Sequence, residues 1–211
     1  MIMVRAKYNR IYLASQSPRR QELLRSWGVE FDLLLADDSE DAESLETQWP
    51  GESAKTYVRR VTQLKLEAAI ARRQARNLPE YPVLCADTTV SIDRDILGKP
   101  ESKKHAMALL MRLSGRTHDV YTAVAVASGG KSDLLVCHSQ VTFAALSQSQ
   151  IRRYVATGEP MGKAGAYGIQ GLAGIWISSM KGSYSGIMGL PAFETAALLN
   201  RAGCRMALSA A

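Results

Sequence analysis

Ile11-Tyr12-Leu13-Ala14-Ser15-Gln16-Ser17-Pro18-Arg19-Arg20 reads as a strand, a polar turn and the start of a helix. The apolar run Ile11 to Ala14 is strand-like. Ser17 followed by Pro18 is an N-cap with proline at the first helical position, and Gly28 after Leu23 and Leu24 is a stop. The same alternation continues outward. Phe31 to Ala36 is a second apolar run, followed by the acidic stretch Asp37 to Asp41 with Glu43 and Glu46, which ends near Pro50-Gly51 and reads as a surface loop. Ser53 to Asn77 has a helical period, with Tyr57, Val61, Leu64 and Ala68 recurring at steps of three and four. Pro82 to Ala86 is a buried-looking strand that delivers Asp87-Thr88-Thr89, and Val90 to Leu97 returns tightly around Asp93-Arg94-Asp95. Ser102 caps a helix that runs to Leu113 and stops at Gly115.

Further on, Asp119 to Ser128 and Leu134 to Leu146 form two long β-rich runs joined through Gly129-Gly130, an antiparallel pair. Ser147-Gln148-Ser149-Gln150 is a capping box opening a helix that ends near Gly158. Glycines 162, 165, 168, 171 and 174 punctuate a loop before the strand Ile175 to Ser178, and a last helix runs from Pro191 to about Ala202. Crossover helices together with long hairpin strands predict an α/β or α+β chain with a mixed sheet. With no repeat and no low-complexity linker, residues 1–211 read as one domain.

The chain of 211 residues is 46% hydrophobic and 22% charged, which excludes long disorder, collagen-like repeats and a disulfide scaffold. No stretch of about 18 apolar residues is present, and the basic N-terminus has no signal-peptide core behind it, so a cytoplasmic location is expected. The formal charge of +6 favours anionic partners such as nucleotides, phosphates or nucleic acid. Cys85, Cys137 and Cys204 have no metal or redox spacing, and His105, His118 and His138 have no partnered spacing, so a zinc site or a histidine triad has little support.

Four places carry candidate chemistry. At Ser15 to Arg20 the open N–H groups and positive end of a helix could receive a phosphate, with Ser15, Ser17, Arg19 and Arg20 donating to its oxygens. It is not a Walker loop, for no G-x-x-x-x-G-K-[ST] pattern occurs. Asp87 at the end of an apolar strand suits a hard cation or the orientation of an attacking water, with Lys99 near the same pocket beyond the tight return. One carboxylate of the acidic loop, Glu40, is a candidate to reach a cation held by Asp87. In the glycine-spaced run, Gln170 carries a donor and an acceptor suited to a base edge. Each has an ordinary alternative: a cap, a turn aspartate, a solvated charge run, a loop.

Taken in order, Ser-x-Ser-Pro-Arg-Arg at 15–20, Ala86-Asp87-Thr88-Thr89-Val90, Gly98-Lys99-Pro100, Ser114-Gly115-Arg116 with Asp119 to Thr122, Gly165-Ala-Tyr-Gly-Ile-Gln-Gly171, and Gly182-Ser-Tyr-Ser185 leading to Gly189-Leu-Pro191 resemble the Maf family. The resemblance spans about Arg10 to Gly203. It implies a mixed, elongated, twisted sheet flanked by helices, with two lobes around a cleft, similar to inosine triphosphate pyrophosphatases. It also implies a nucleoside triphosphate pyrophosphatase that needs a divalent cation, Mg²⁺ or Mn²⁺, and releases a nucleoside monophosphate and pyrophosphate. By this resemblance Asp87 is the proton acceptor, Arg19, Thr88 and Gln170 set nucleotide specificity, and Glu40, Lys65 and Lys99 match charged positions of the family.

The Ala-Tyr-Gly-Ile-Gln form of the glycine loop is similar to the branch acting on dTTP and UTP. Two departures stand out: the loop between Glu40 and Glu52 is longer than the family's, and Val61 to Leu66 replaces its usual Leu-Ala-x-x-Lys-Ala. The expected mechanism is metal-assisted phosphoanhydride hydrolysis, with the cation on Asp87 and Glu40 and the triphosphate held by Ser15, Ser17, Arg19, Lys65 and Lys99. The alternatives are the same reaction on 7-methyl-GTP or another base, and a non-catalytic nucleotide or nucleic-acid binding regulator of cell division. Nucleic acid is disfavoured by only three phenylalanines and by basic residues spread around the helix that follows Ser53. The sequence leaves a homodimer open.

Overall fold

The computed structural model describes residues 7–37, 40 and 44–208; most of the acidic stretch after Asp37 lies outside them. Seven strands form one mixed sheet in the order β2-β1-β3-β5-β6-β7, with β4 on β3. The strands are β1 Arg10–Leu13, β2 Glu30–Leu33, β3 Val83–Ile92, β4 Asp95–Leu97, β5 Thr117–Ser128, β6 Lys131–Phe143 and β7 Ile177–Lys181. The β1–β2 and β1–β3 pairs are parallel and the remaining pairs antiparallel. Parallel pairing needs crossovers. The helices α1 (Pro18–Ser26) and α2 (Ala54–Ala75) lie in those connections. The mixed α/β class is therefore as the sequence predicts.

Local signals set the helix starts. Ser53 Oγ accepts from Thr56 N–H at the start of α2, and Ser102 Oγ from His105 N–H at the start of α3 (Lys103–Leu113). The capping box at Ser147 and Gln150 is fully formed ahead of α4 (Gln148–Ala156). Two further helices, α5 (Tyr184–Met188) and α6 (Ala192–Arg201), follow β7; α5 is not anticipated by the sequence pattern. No helix among the described residues is long and apolar enough to cross a membrane.

Strand alternation sorts the core onto two faces of the sheet. Leu84 and Ala86 pack with Leu24 of α1 and Leu198 and Leu199 of α6. Val83 and Cys85 pack with Leu66 and Ala69 of α2. At the other end of the sheet Val90, Val120 and Phe143 pack with Leu110 of α3 and Ile151 of α4. The buried stripe of α2 is Tyr57, Val58, Val61, Thr62, Leu66 and Ala69. It is rotated from the expected Leu64–Ala68 line, because α2 meets the sheet through its neighbouring positions.

Candidate active site

A gap in the sheet creates the site. On one edge of β3, β1 pairs only as far as Leu84 and β4 begins at Val90, so residues 85–89 have no strand beside them on that edge. On the other edge β5 pairs from Val83 to Ser91 and holds β3 straight. Asp87 is thus a mid-strand residue rather than the last of its strand, a correction to the sequence reading: Thr88, Thr89 and Val90, all β-branched, continue the ladder. By alternation Asp87 faces α2 with Cys85, while Thr88 faces the α1 and α5 side. There the Thr88 and Thr122 hydroxyls lie 3.0 Å apart, and Thr122 donates to Gly186 O at 2.7 Å.

Asp87 anchors a chain of four charges. Lys65 Nζ lies 2.6 Å from Asp87 Oδ1 and 2.7 Å from Glu46 Oε1, and Lys99 Nζ lies 2.8 Å from Glu46 Oε2. Lys65 reaches Asp87 because it sits four residues from Val61 and Ala69 on the inward stripe of α2. Burial opposes its charge, but Asp87 and Glu46 outweigh burial and hold its pKa above the ordinary lysine value. Burial likewise opposes ionisation of Glu46, and Lys65 and Lys99 reverse this, holding its carboxyl below the ordinary range. Tyr57 OH donates to Glu46 O at 2.9 Å and fixes the backbone of this loop to α2.

The start of α1 lines the same cavity, whose volume is about 590 Å³. Ser17 occupies the cap position but makes no side-chain cap; its own N–H donates to Ser15 Oγ. The first turn therefore presents uncapped N–H groups and a positive dipole end. Arg20 Nε donates to Gly189 O at 2.7 Å and Nη1 to Ser15 Oγ at 2.9 Å, while Arg19 Nε donates to Met188 O at 3.3 Å. Gly189 has φ +117, and a Cβ there would come within 3.5 Å of both Arg20 Nε and Thr88 Oγ1. Burial lowers the pKa of both arginines. Neither forms an ion pair among the described residues.

The glycine-spaced run supplies Gly162, Lys163, Ala164, Tyr167 and Ile169 to the lining. Tyr167 is fixed by His118, whose Nε2 is 2.8 Å from Tyr167 OH. His118 is almost fully enclosed, and burial pushes its pKa down to about 4, so it is neutral at physiological pH. Gly165 has φ +67 and lies against Val90, where an added Cβ would approach the Val90 methyls to 3.0 Å.

A model of the family described as "Maf: Maf-like protein" matches residues 10–202. The chain belongs to the Maf family. It is 56% identical over 196 residues to a dTTP/UTP pyrophosphatase of Albidiferax ferrireducens, covering 93% of this chain and 98% of that protein. It is 58% identical over 195 residues to a dTTP/UTP pyrophosphatase of Burkholderia orbicola, covering 91% of this chain and 92% of that protein. Among solved structures it is similar to the Staphylococcus aureus Ham1 protein, at 14% identity and a TM-score of 0.42, over 64% of this chain and 72% of that one.

In this Maf chain most of the expected residues line one cavity: Ser15, Ser17, Arg19, Arg20, Lys65, Asp87, Thr88 and Lys99. Two do not. Glu40 gives both carboxylate oxygens to the Arg72 guanidinium, each at 2.6 Å, and is absent from the lining. The acid that reaches the Asp87 cluster is Glu46, because Lys65 and Lys99 draw it in while Arg72 and Arg76 retain Glu40 nearer the start of the loop. Gln170 is exposed and also outside the lining. Its loop turns so that Tyr167 and Ile169 face inward instead.

Sequence reasoning thus missed Glu46 and Lys163. Glu46 lies in the same acidic run as Glu40, and the sequence pattern does not set it apart from the other carboxylates there. As for a cation, no group of three acidic, histidine or cysteine side chains suited to a metal exists among the described residues. Yet among those residues only Oδ1 of Asp87 is bonded, and Asp87 lines the cavity. One or two carboxylates completed by substrate phosphate oxygens form a donor set that suits Mg²⁺.

Proposed function

We propose that this protein hydrolyses dTTP and UTP between the α- and β-phosphates, releasing the nucleoside monophosphate and pyrophosphate. The observation that carries the reading is the meeting, in one cavity, of the Asp87 carboxylate, whose Oδ1 alone is bonded among the described residues, and of arginines that have no carboxylate partner among those residues. Family membership and the names of the similar proteins support the choice of reaction and of pyrimidine nucleotides.

Arg19, Arg20, Ser15, Ser17 and the open end of α1 bind the phosphates, and Lys65 and Lys99 supply further positive charge. Asp87 Oδ2 orients a water toward the α-phosphorus and accepts its proton. The new bond is from water oxygen to the α-phosphorus. The bond that breaks joins this phosphorus to the bridging oxygen, whose electron pair leaves with pyrophosphate. Lys65, bonded to Oδ1 at 2.6 Å, keeps the carboxylate aimed. A divalent cation, Mg²⁺ or Mn²⁺, would be held by Asp87 with Glu46 beside it, and would neutralise charge on the phosphate oxygens.

Arg19 and Thr88 shape nucleotide fit from the lining, and Gln170, exposed beside Gly168 on the glycine loop, is the third specificity position that the family resemblance implies. The buried free thiols of Cys85, Cys137 and Cys204 suit a reducing compartment, and we place the protein in the cytoplasm. The test is a panel of nucleoside triphosphates, 7-methyl-GTP included, incubated with purified protein and Mg²⁺. Pyrophosphate should appear with dTMP or UMP and fastest from dTTP and UTP; orthophosphate as the sole primary product would refute the reading.

A further inference from the structure

Lys163 lines the cavity and forms no ion pair among the described residues. Its ammonium donates to the carbonyl oxygen of Glu159, while the Glu159 carboxylate is turned away to Tyr154 OH at 3.0 Å and Leu172 N–H at 3.1 Å. An ammonium has three donors. The remaining ones are left for a ligand. The stem runs close beside Gly168, where an added Cβ would lie 3.4 Å from both Lys163 Cδ and Cε. The backbone of the segment is pinned by Gly165 N–H donating to Gly98 O at 3.2 Å. This is a directed cation rather than a solvated one.

Its neighbours give an order along the cleft. Arg20 sits beside Thr88, the neighbour of Asp87, for a Cβ on Gly189 would lie 3.5 Å from both Arg20 Nε and Thr88 Oγ1. Arg19 holds the carbonyl one residue before, Met188 O, and Lys163 enters the same cavity from the glycine loop. The charges met from Asp87 are thus Arg20 and Arg19, with Lys163 on the glycine-loop wall. A triphosphate whose α-phosphorus lies against Asp87 runs outward along the other three. We propose that Lys163 grips the terminal phosphate of the bound nucleotide, so that the cleft favours nucleoside triphosphates over diphosphates. This rests on the function proposed above and adds a residue that reads the length of the phosphate chain.

The test compares wild type, Lys163→Met and Lys163→Arg on dTTP and dTDP. Wild type should prefer dTTP in kcat/KM. Lys163→Met should lose about tenfold or more on dTTP, chiefly through KM, and much less on dTDP, with Lys163→Arg restoring part of the loss. Equal losses on both substrates, no loss on dTTP, or no wild-type preference for dTTP would overturn the proposal. Should wild type hydrolyse neither dTTP nor UTP, the function reading fails by itself, and calorimetric binding of inorganic pyrophosphate and of dTMP decides about Lys163. Pyrophosphate binding about tenfold weaker in Lys163→Met, with dTMP binding unchanged, supports it. Unchanged pyrophosphate binding, or equal weakening of both ligands, contradicts it.

Discussion

One part of the cavity wall is electrically complete and another is not. Asp87, Lys65, Glu46 and Lys99 pair among themselves within 2.8 Å. Arg20, Arg19 and Lys163 border the same space and, among the described residues, have only carbonyl and hydroxyl acceptors. A self-neutralised set keeps its geometry with nothing bound, which is what a group that must aim a water requires. Partly buried cations that are hydrogen-bonded to no carboxylate bind an arriving anion more strongly than exposed ones would. The first part is preorganised for chemistry, and the second stores its attraction for phosphate.

The sharpest way to break this contrast is Asp87→Asn. The near-isosteric change keeps the strand packing but removes the proton acceptor, so kcat should fall by about 10²–10⁴-fold with KM little altered. A variant with substantial turnover would reduce the paired set to a structural role. Next in size is Arg20→Met, which removes two bonds and a buried cation. Steady-state kinetics should show kcat/KM for dTTP lower by about ten- to a hundredfold, with KM rising. A third comparison separates two acids of one loop. Glu46→Gln should cost about tenfold in kcat/KM, whereas Glu40→Gln should stay within about twofold, its loss confined to a pairing with Arg72 worth about 1 kcal/mol or less. Equal effects would return Glu40 to the site.

The smallest effect is on stability against pH. The Glu46 carboxyl is held low, so its contribution is full above the ordinary carboxylate range and fades as pH falls through its folded value. The Lys65 ammonium is held high, so its contribution is full below the ordinary lysine range and fades as pH rises through its folded value. Thermal unfolding from about pH 3 to about pH 11 should therefore show a plateau between two limbs, with Glu46→Gln flattening part of the acid limb. An unchanged acid limb in that variant would show that Glu46 is not stabilised by the lysines.

The regular frame was legible because its signals are local. Pro18 after Ser17, the caps at Ser53 and Ser102, the Ser147 box and Gly129-Gly130 each act within a few residues, and each marks an element boundary in the structure. The site was legible where motif and element coincide, as at Ser15 to Arg20 and Asp87. It was not legible where distant pairing decides. The gap beside residues 85–89 depends on where β1 stops relative to β4, a matter of register. Which acid enters the cleft depends on Arg72 holding Glu40 and on two lysines, from α2 and from beyond β4, drawing in Glu46. In the glycine loop a local pattern pointed to Gln170, but its turns bring Lys163 and Tyr167 to the cavity.

Hydrolysis of dTTP in ¹⁸O-water, read by mass spectrometry of both products, asks directly which phosphorus lies at Asp87. Label in dTMP alone places the attacking water on the α-phosphorus, with the outer phosphates along Arg20, Arg19 and Lys163, as the account requires. Label in pyrophosphate would put the β-phosphorus at Asp87 and contradict it.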